Sequence, residues 1–176
     1  MPVVLFVLVA LGLLLLILIQ DLKDRAVTWF LFPALALVCY FYSARLLSHA
    51  AVWQNWLLNI GFLACELAFI SLYLMLKHRK LVWPMQGYMG WGDVCFWVAA
   101  AFLFPLPNFA VYFLVSLLFS LIIHLWLRHV SGFYAQKHTV PLAGFQALFL
   151  AGLFLVQIFV PALIFTDEFL VVGLFL

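Results

Sequence analysis

Between Val3 and Ile19 no residue carries a polar side chain, and apolar runs of about 20 residues recur along the chain. Such stretches cannot coat themselves with water-binding groups. The composition generalises the point: 70% of residues are hydrophobic and 8% charged, whereas a soluble domain carries roughly a quarter charged residues. Lipid must then act as the solvent, and in lipid only helices and closed barrels satisfy their own backbone. The runs are continuous and lack the alternation of a barrel strand. The chain therefore reads as all-α, a polytopic membrane protein with a single transmembrane domain over 1–176 in the cell membrane.

The apolar runs predict about six spans. They are Val3–Gln20, Thr28–Leu47, Leu57–Leu76, Val94–Leu106, Phe109–Leu127 and Leu142–Phe165. The fourth is short and ends at Pro105-Leu106-Pro107. The tail carries Asp167 and Glu168, then an apolar stretch too short for a further span. The first run has no basic residues before it and no small-residue cleavage site after it, so it reads as a retained span rather than a signal peptide.

The net charge of +2 is less informative than its placement. Lys23 and Arg25 follow the first span, Lys77, Arg79 and Lys80 the third, and Arg128 and Lys137 the fifth. Only Arg45 lies near the opposite face. The positive-inside rule then puts the odd-numbered connections in the cytoplasm and both termini outside. Trp53, Trp56, Trp83 and Trp91 fall near span ends and fit an interfacial belt. Cys39, Cys65 and Cys95 are scattered, without C-x-x-C spacing, and read as small apolar residues within spans.

Ionisable groups beside a bilayer core are costly, so each needs a reason. Asp21 ends the first span on the cytoplasmic side, and Asp93 opens the fourth on that same side. Either alone can be an ordinary helix-end carboxylate solvated by headgroups, and Asp93 can simply cap its helix. Gly90-Trp91-Gly92-Asp93 shifts that balance. Its two glycines remove side chains beside the carboxylate, allow an extended substrate backbone to approach, and permit unusual dihedrals.

Gly90-Trp91-Gly92-Asp93-Val94 resembles the G-x-G-D-V motif of type IV prepilin peptidases and archaeal preflagellin peptidases. Asp21-Leu22-Lys23-Asp24-Arg25-Ala26-Val27 is similar to that family's first motif, and Pro141-Leu142-Ala143-Gly144-Phe145 to the Pro-rich opening of its last span. Motif order, span number and orientation agree over nearly the whole chain. Departures are Thr28-Trp29 in place of a frequent Pro-Asn, Cys95 in place of a frequent Lys, and Gly144 in place of a frequent second Pro. They bear on substrate choice more than on the aspartate pair. The methyltransferase region and paired C-x-x-C motifs of bifunctional members are missing between the first two spans, so the resemblance implies a short, peptidase-only form. It also implies catalytic Asp21 and Asp93, a substrate-approach loop at Gly90 and Gly92, and a pilin-like or archaellin-like precursor as substrate. That precursor has a short basic leader, cut at the cytoplasmic face ahead of an apolar helix. No cofactor, metal or nucleic-acid partner is expected.

Other membrane proteases fit less well. H-E-x-x-H is absent, and His124 and His129 stand five apart, off a common helical face. His129-Val130-Ser131-Gly132 lacks the first glycine of a rhomboid G-x-S-G. Gln20, not Tyr, precedes Asp21, unlike presenilin-like proteases. Asp24 can contact a basic leader or pair with Lys23 or Arg25. Glu66 lies roughly 16 Å along its helix from Lys77, near mid-membrane, and reads as a packing residue.

Two facing carboxylates can share a proton, activate water and polarise a carbonyl. The helix dipole favours ionised Asp93 as base and protonated Asp21 as acid. The competing class is a small transporter or assembly scaffold using Asp21, Glu66 and Asp93 as a cation path. Midplane charges and internal repeats would mark it. Only Glu66 is deep, and no repeat is visible.

Overall fold

The computed structural model describes residues 3–79, 85, 89–130, 140–160 and 165–166. Lys80, Trp83, Lys137, Asp167 and Glu168, which figure in the sequence reading, lie outside the described residues.

Six helices make up the described fold: α1 Val3–Asp24, α2 Leu31–Ser43, α3 His49–His78, α4 Trp91–Ala100, α5 Leu106–Val130 and α6 Leu142–Phe159. Four of them, α1, α3, α5 and α6, are long and apolar enough to cross a membrane. Their outward surface is apolar as well, with Leu8, Leu15, Leu57, Phe69, Leu118 and Ile122 all exposed. A surface of that kind suits a hydrocarbon surround and not water.

The two remaining helices depart from the expected spans. Helix α2 has 13 residues and gives way at Ala44 to tight turns over 44–47. Helix α4 has 10 residues, about 15 Å, or half a hydrocarbon core. The expected fourth span ran on to Leu106, but the chain leaves the helix at Ala101. Asn59 of α3 accounts for the difference. Its Nδ2 donates to the carbonyls of both Ala101 and Phe104, each at 2.8 Å. Trp56, one turn earlier, donates its indole N–H to the carbonyl of Val98 at 3.1 Å. Irregular backbone is tolerated at membrane depth only where protein buries it, and Ala101, Leu103 and Phe104 are all buried.

Helix α3 starts eight residues before the expected Leu57, because Ser48 caps it by accepting from the amide of Ala51 at 3.3 Å. Helix α6 stops at Phe159, short of the expected Phe165, and Pro161 follows in sequence. Phe165 still packs into the core against Tyr42, Phe104 and Phe154.

The core draws on every helix. Leu14 and Ile17 of α1, Leu35 of α2, Phe96 of α4, Phe109 of α5 and Leu150 of α6 are fully enclosed, and Leu63 of α3 joins them. Helix α6 packs mainly on α1, with α5 on another side, and α2 lies between α1 and α4. Trp53 and Trp56 join Phe102 in one aromatic cluster at the α3–α4 contact. Cys39 is buried, Cys65 and Cys95 are exposed, and all three are free thiols.

Candidate active site

The C-terminal end of α1 and the N-terminal ends of α4 and α6 meet at one end of the bundle. Each end is shaped locally. Helix α1 closes at Arg25, a non-glycine residue at φ 54°, whose amide donates to the carbonyl of Asp21 at 3.2 Å. The Gln20 side-chain oxygen accepts from both the amide and the hydroxyl of Thr28, at 2.8 and 2.9 Å. That folds the 25–28 connection back against the helix and leaves Asp21 facing inward, 8% exposed.

Helix α4 begins at Gly90, in extended conformation. Asp93, in its first turn, reaches back to accept from the Gly90 amide through Oδ2 at 3.1 Å. A Cβ at Gly90 would stand 3.2 Å from that oxygen, and one at Gly92 would meet the ring of Phe32 at 3.4 Å. Neither glycine takes a positive φ, so the expected unusual dihedrals are absent. At Gly90 the missing side chain leaves room for the Asp93 carboxylate.

The third component is the first turn of α6. The early amides of a helix have no intrahelical acceptors, and here each has found one. Leu142 donates to the carbonyl of Val140 and Phe145 to that of Pro141. Between them, the Ala143 amide donates to Asp93 Oδ1 at 2.9 Å and the Gly144 amide to Asp21 Oδ2 at 2.6 Å. Neighbouring amide nitrogens lie only a few ångströms apart, so these two carboxylate oxygens are no more than about 9 Å apart. The residues expected to pair across the sequence are thus brought together.

Both carboxylates line a cavity of about 1030 Å³, with Gly90, Gly92, Phe32, Trp91 and Leu117 also on its walls. Asp93 stands at the mouth of α4, ahead of the apolar stretch from Val94. Burial pushes its carboxyl up to about 6, the Gly90 amide opposes the rise, the Asp21 carboxylate adds to it, and the Ala143 amide lowers it again. The helix dipole alone favours ionised Asp93; burial is the larger influence. Asp24 is exposed and does not line the cavity. Glu66 is half-buried on α3 and is also outside the cavity wall.

Sequence reasoning missed the amides of Ala143 and Gly144, which have no side-chain signature. The available signal was a glycine in the first turn of a span that opens with proline. It also missed Arg25, Ser120 and His124, which line the same cavity. Among the described residues no three His, Cys, Asp or Glu side chains converge on a metal position.

Comparisons of the chain with protein-family models, with curated proteins and with solved structures find no match. Chemically, a buried and a half-buried carboxylate held on neighbouring amides beside a cavity can exchange a proton with water and with a polarised carbonyl.

Proposed function

We propose that the chain is a membrane aspartic endopeptidase that removes the short leader of pilin-like or archaellin-like precursors at the cytoplasmic face. The observation that carries this reading is the seating of Asp21 and Asp93 on consecutive amides at the wall of one cavity. The motif resemblance supplies the substrate class. The orientation belongs to the same proposal: about six membrane passes, with the Asp21 and Asp93 end cytoplasmic and both termini outside.

In this reaction ionised Asp93 takes a proton from water as the oxygen attacks the scissile carbonyl. Protonated Asp21 donates to the carbonyl oxygen, giving a tetrahedral diol. Collapse breaks the C–N bond: ionised Asp21 takes back a proton from one diol hydroxyl as the carbonyl re-forms, and the proton held by Asp93 passes to the departing amine, which restores both carboxyls. The cavity's apolar wall, with Phe32, Trp91 and Leu117, suits the precursor's apolar helix, and Gly90 and Gly92 lie on the same wall beside Asp93, where an extended leader would approach.

The transporter reading calls for a path through Asp21, Glu66 and Asp93, and Glu66 does not line the cavity that holds the two aspartates. The reading is tested by co-expressing the chain with a pilin-like precursor and following the precursor's mobility on a gel. A shorter product whose new N-terminus follows the leader supports it. An unprocessed precursor across a panel of pilin-like and archaellin-like sequences rejects it.

A further inference from the structure

Two like-charged carboxylates resist being held close together. Here a helix end lies between them. The N-terminus of α6 carries partial positive charge, and its second and third amides are divided between Asp93 and Asp21. No room is left at the Asp21 side. A Cβ built on Gly144 would stand 3.1 Å from both Cβ and Oδ2 of Asp21, tighter than ordinary van der Waals contact. On the same helix, a Cβ at Gly152 would meet nothing within 4 Å. Of the two α6 glycines, only Gly144 is at a position where the absence of a side chain matters.

We infer that the first turn of α6 is the positioning element of the aspartate pair, with the Ala143 and Gly144 amides fixing its spacing and Gly144 acting as a positioning residue for Asp21. This rests on the aspartic-peptidase reading and deepens it. Spacing set by one rigid turn means that both carboxylates move together if α6 moves. It also means that the pair's geometry depends on a residue with no side chain to contribute. Helix α6 is itself fixed farther along, where Trp97 of α4 donates its indole N–H to Gln146 and Gln157 donates to the Tyr42 hydroxyl.

The first test is Gly144→Ala, with Gly152→Ala as its control. An added methyl that displaces Asp21 from its amide should lower cleavage at least about tenfold, as misplacements on the ångström scale do. It should also move the basic limb of the pH–rate profile upward, because the lost amide bond favours ionised Asp21 and the acid then keeps its proton to higher pH. Gly152→Ala should leave both rate and profile alone. A structural role for Gly144 would lower yield or melting temperature and leave the profile of the surviving enzyme in place.

The second test does not depend on the Gly144 variant folding. Hydrogen exchange across 142–147 should be slow in the wild-type protein. Asp21→Ala and Asp93→Ala should each release one protected amide there. Unchanged exchange in both variants, or an unchanged rate and profile in Gly144→Ala, overturns the positioning role. If Asp21→Asn and Asp93→Asn abolish cleavage in that case, the peptidase reading itself still stands.

Discussion

Asp21 and Asp93, 72 positions apart in sequence, accept hydrogen bonds from the adjacent amides of Gly144 and Ala143. Three helix ends converge to make that arrangement, and each is closed by a different local device: left-handed Arg25, extended Gly90, and the turn after Pro141. The same contacts allow a purely structural role, in which two carboxylates cap α6 from neighbouring helices. Separating the two roles requires a change that keeps the hydrogen bonds and removes the acid–base chemistry.

The pH dependence carries a definite sign. Burial pushes Asp93 up to about 6, so it holds a proton below that pH and is ionised above it. As the base it must be ionised. Cleavage by detergent-solubilised enzyme should therefore rise as pH increases through about 6 and fall again only at the higher pH where Asp21 also loses its proton. A rate that falls across the same interval would assign Asp93 the opposite protonation state.

Asn59 should matter to stability more than its neutral side chain suggests. It satisfies the carbonyls of Ala101 and Phe104 where α4 breaks off inside the bundle. Asn59→Leu leaves both unpaired, at about 1–3 kcal/mol each. The expected outcome is a clear fall in thermal unfolding temperature in detergent. An unchanged midpoint would mean that other donors reach these carbonyls.

Topology is open to cysteine labelling in a background lacking Cys39, Cys65 and Cys95. Lys77→Cys and Arg128→Cys should react only with a reagent that crosses the membrane, and Arg45→Cys should react with one that does not. Labelling of Lys77→Cys from outside would detach the aspartate end from the cytoplasm.

Much of this was legible in the sequence. The apolar runs mark α1, α3, α5 and α6, whose lengths suffice to cross a membrane. Asp21 and Asp93 stand out because charge beside a bilayer core is rare. The shortness of α4 was not legible, because its end is fixed by Asn59, a long-range contact with no local signal. The early start of α3 was written in Ser48, a serine ahead of the helix. The backbone donors at Ala143 and Gly144 were invisible, since an amide looks alike at every residue. The roles of Gly90 and Gly144 likewise depend on which carboxylate each one faces, and sequence does not contain that distance.

Asp24 and Glu66 lie off the cavity wall. Asp24→Asn and Glu66→Gln should therefore retain most cleavage, within a fewfold of wild type. Loss of activity on the scale of an Asp93 variant in Glu66→Gln would return weight to a path through α3.

The most direct measurement compares Asp21→Asn, Asp93→Asn and the double variant in the precursor cleavage assay, at matched expression. Asparagine keeps one oxygen, enough to accept from Gly144 at position 21 and from Ala143 at position 93, so α6 stays capped and the protein should insert and fold, while Asp93→Asn gives up the bond from the Gly90 amide. It cannot act as acid or base. Each single variant should lose cleavage altogether, and the double variant should be no worse than either, because the pair works as a unit. Full processing by Asp21→Asn or Asp93→Asn would contradict the account and leave the two carboxylates as caps for α6.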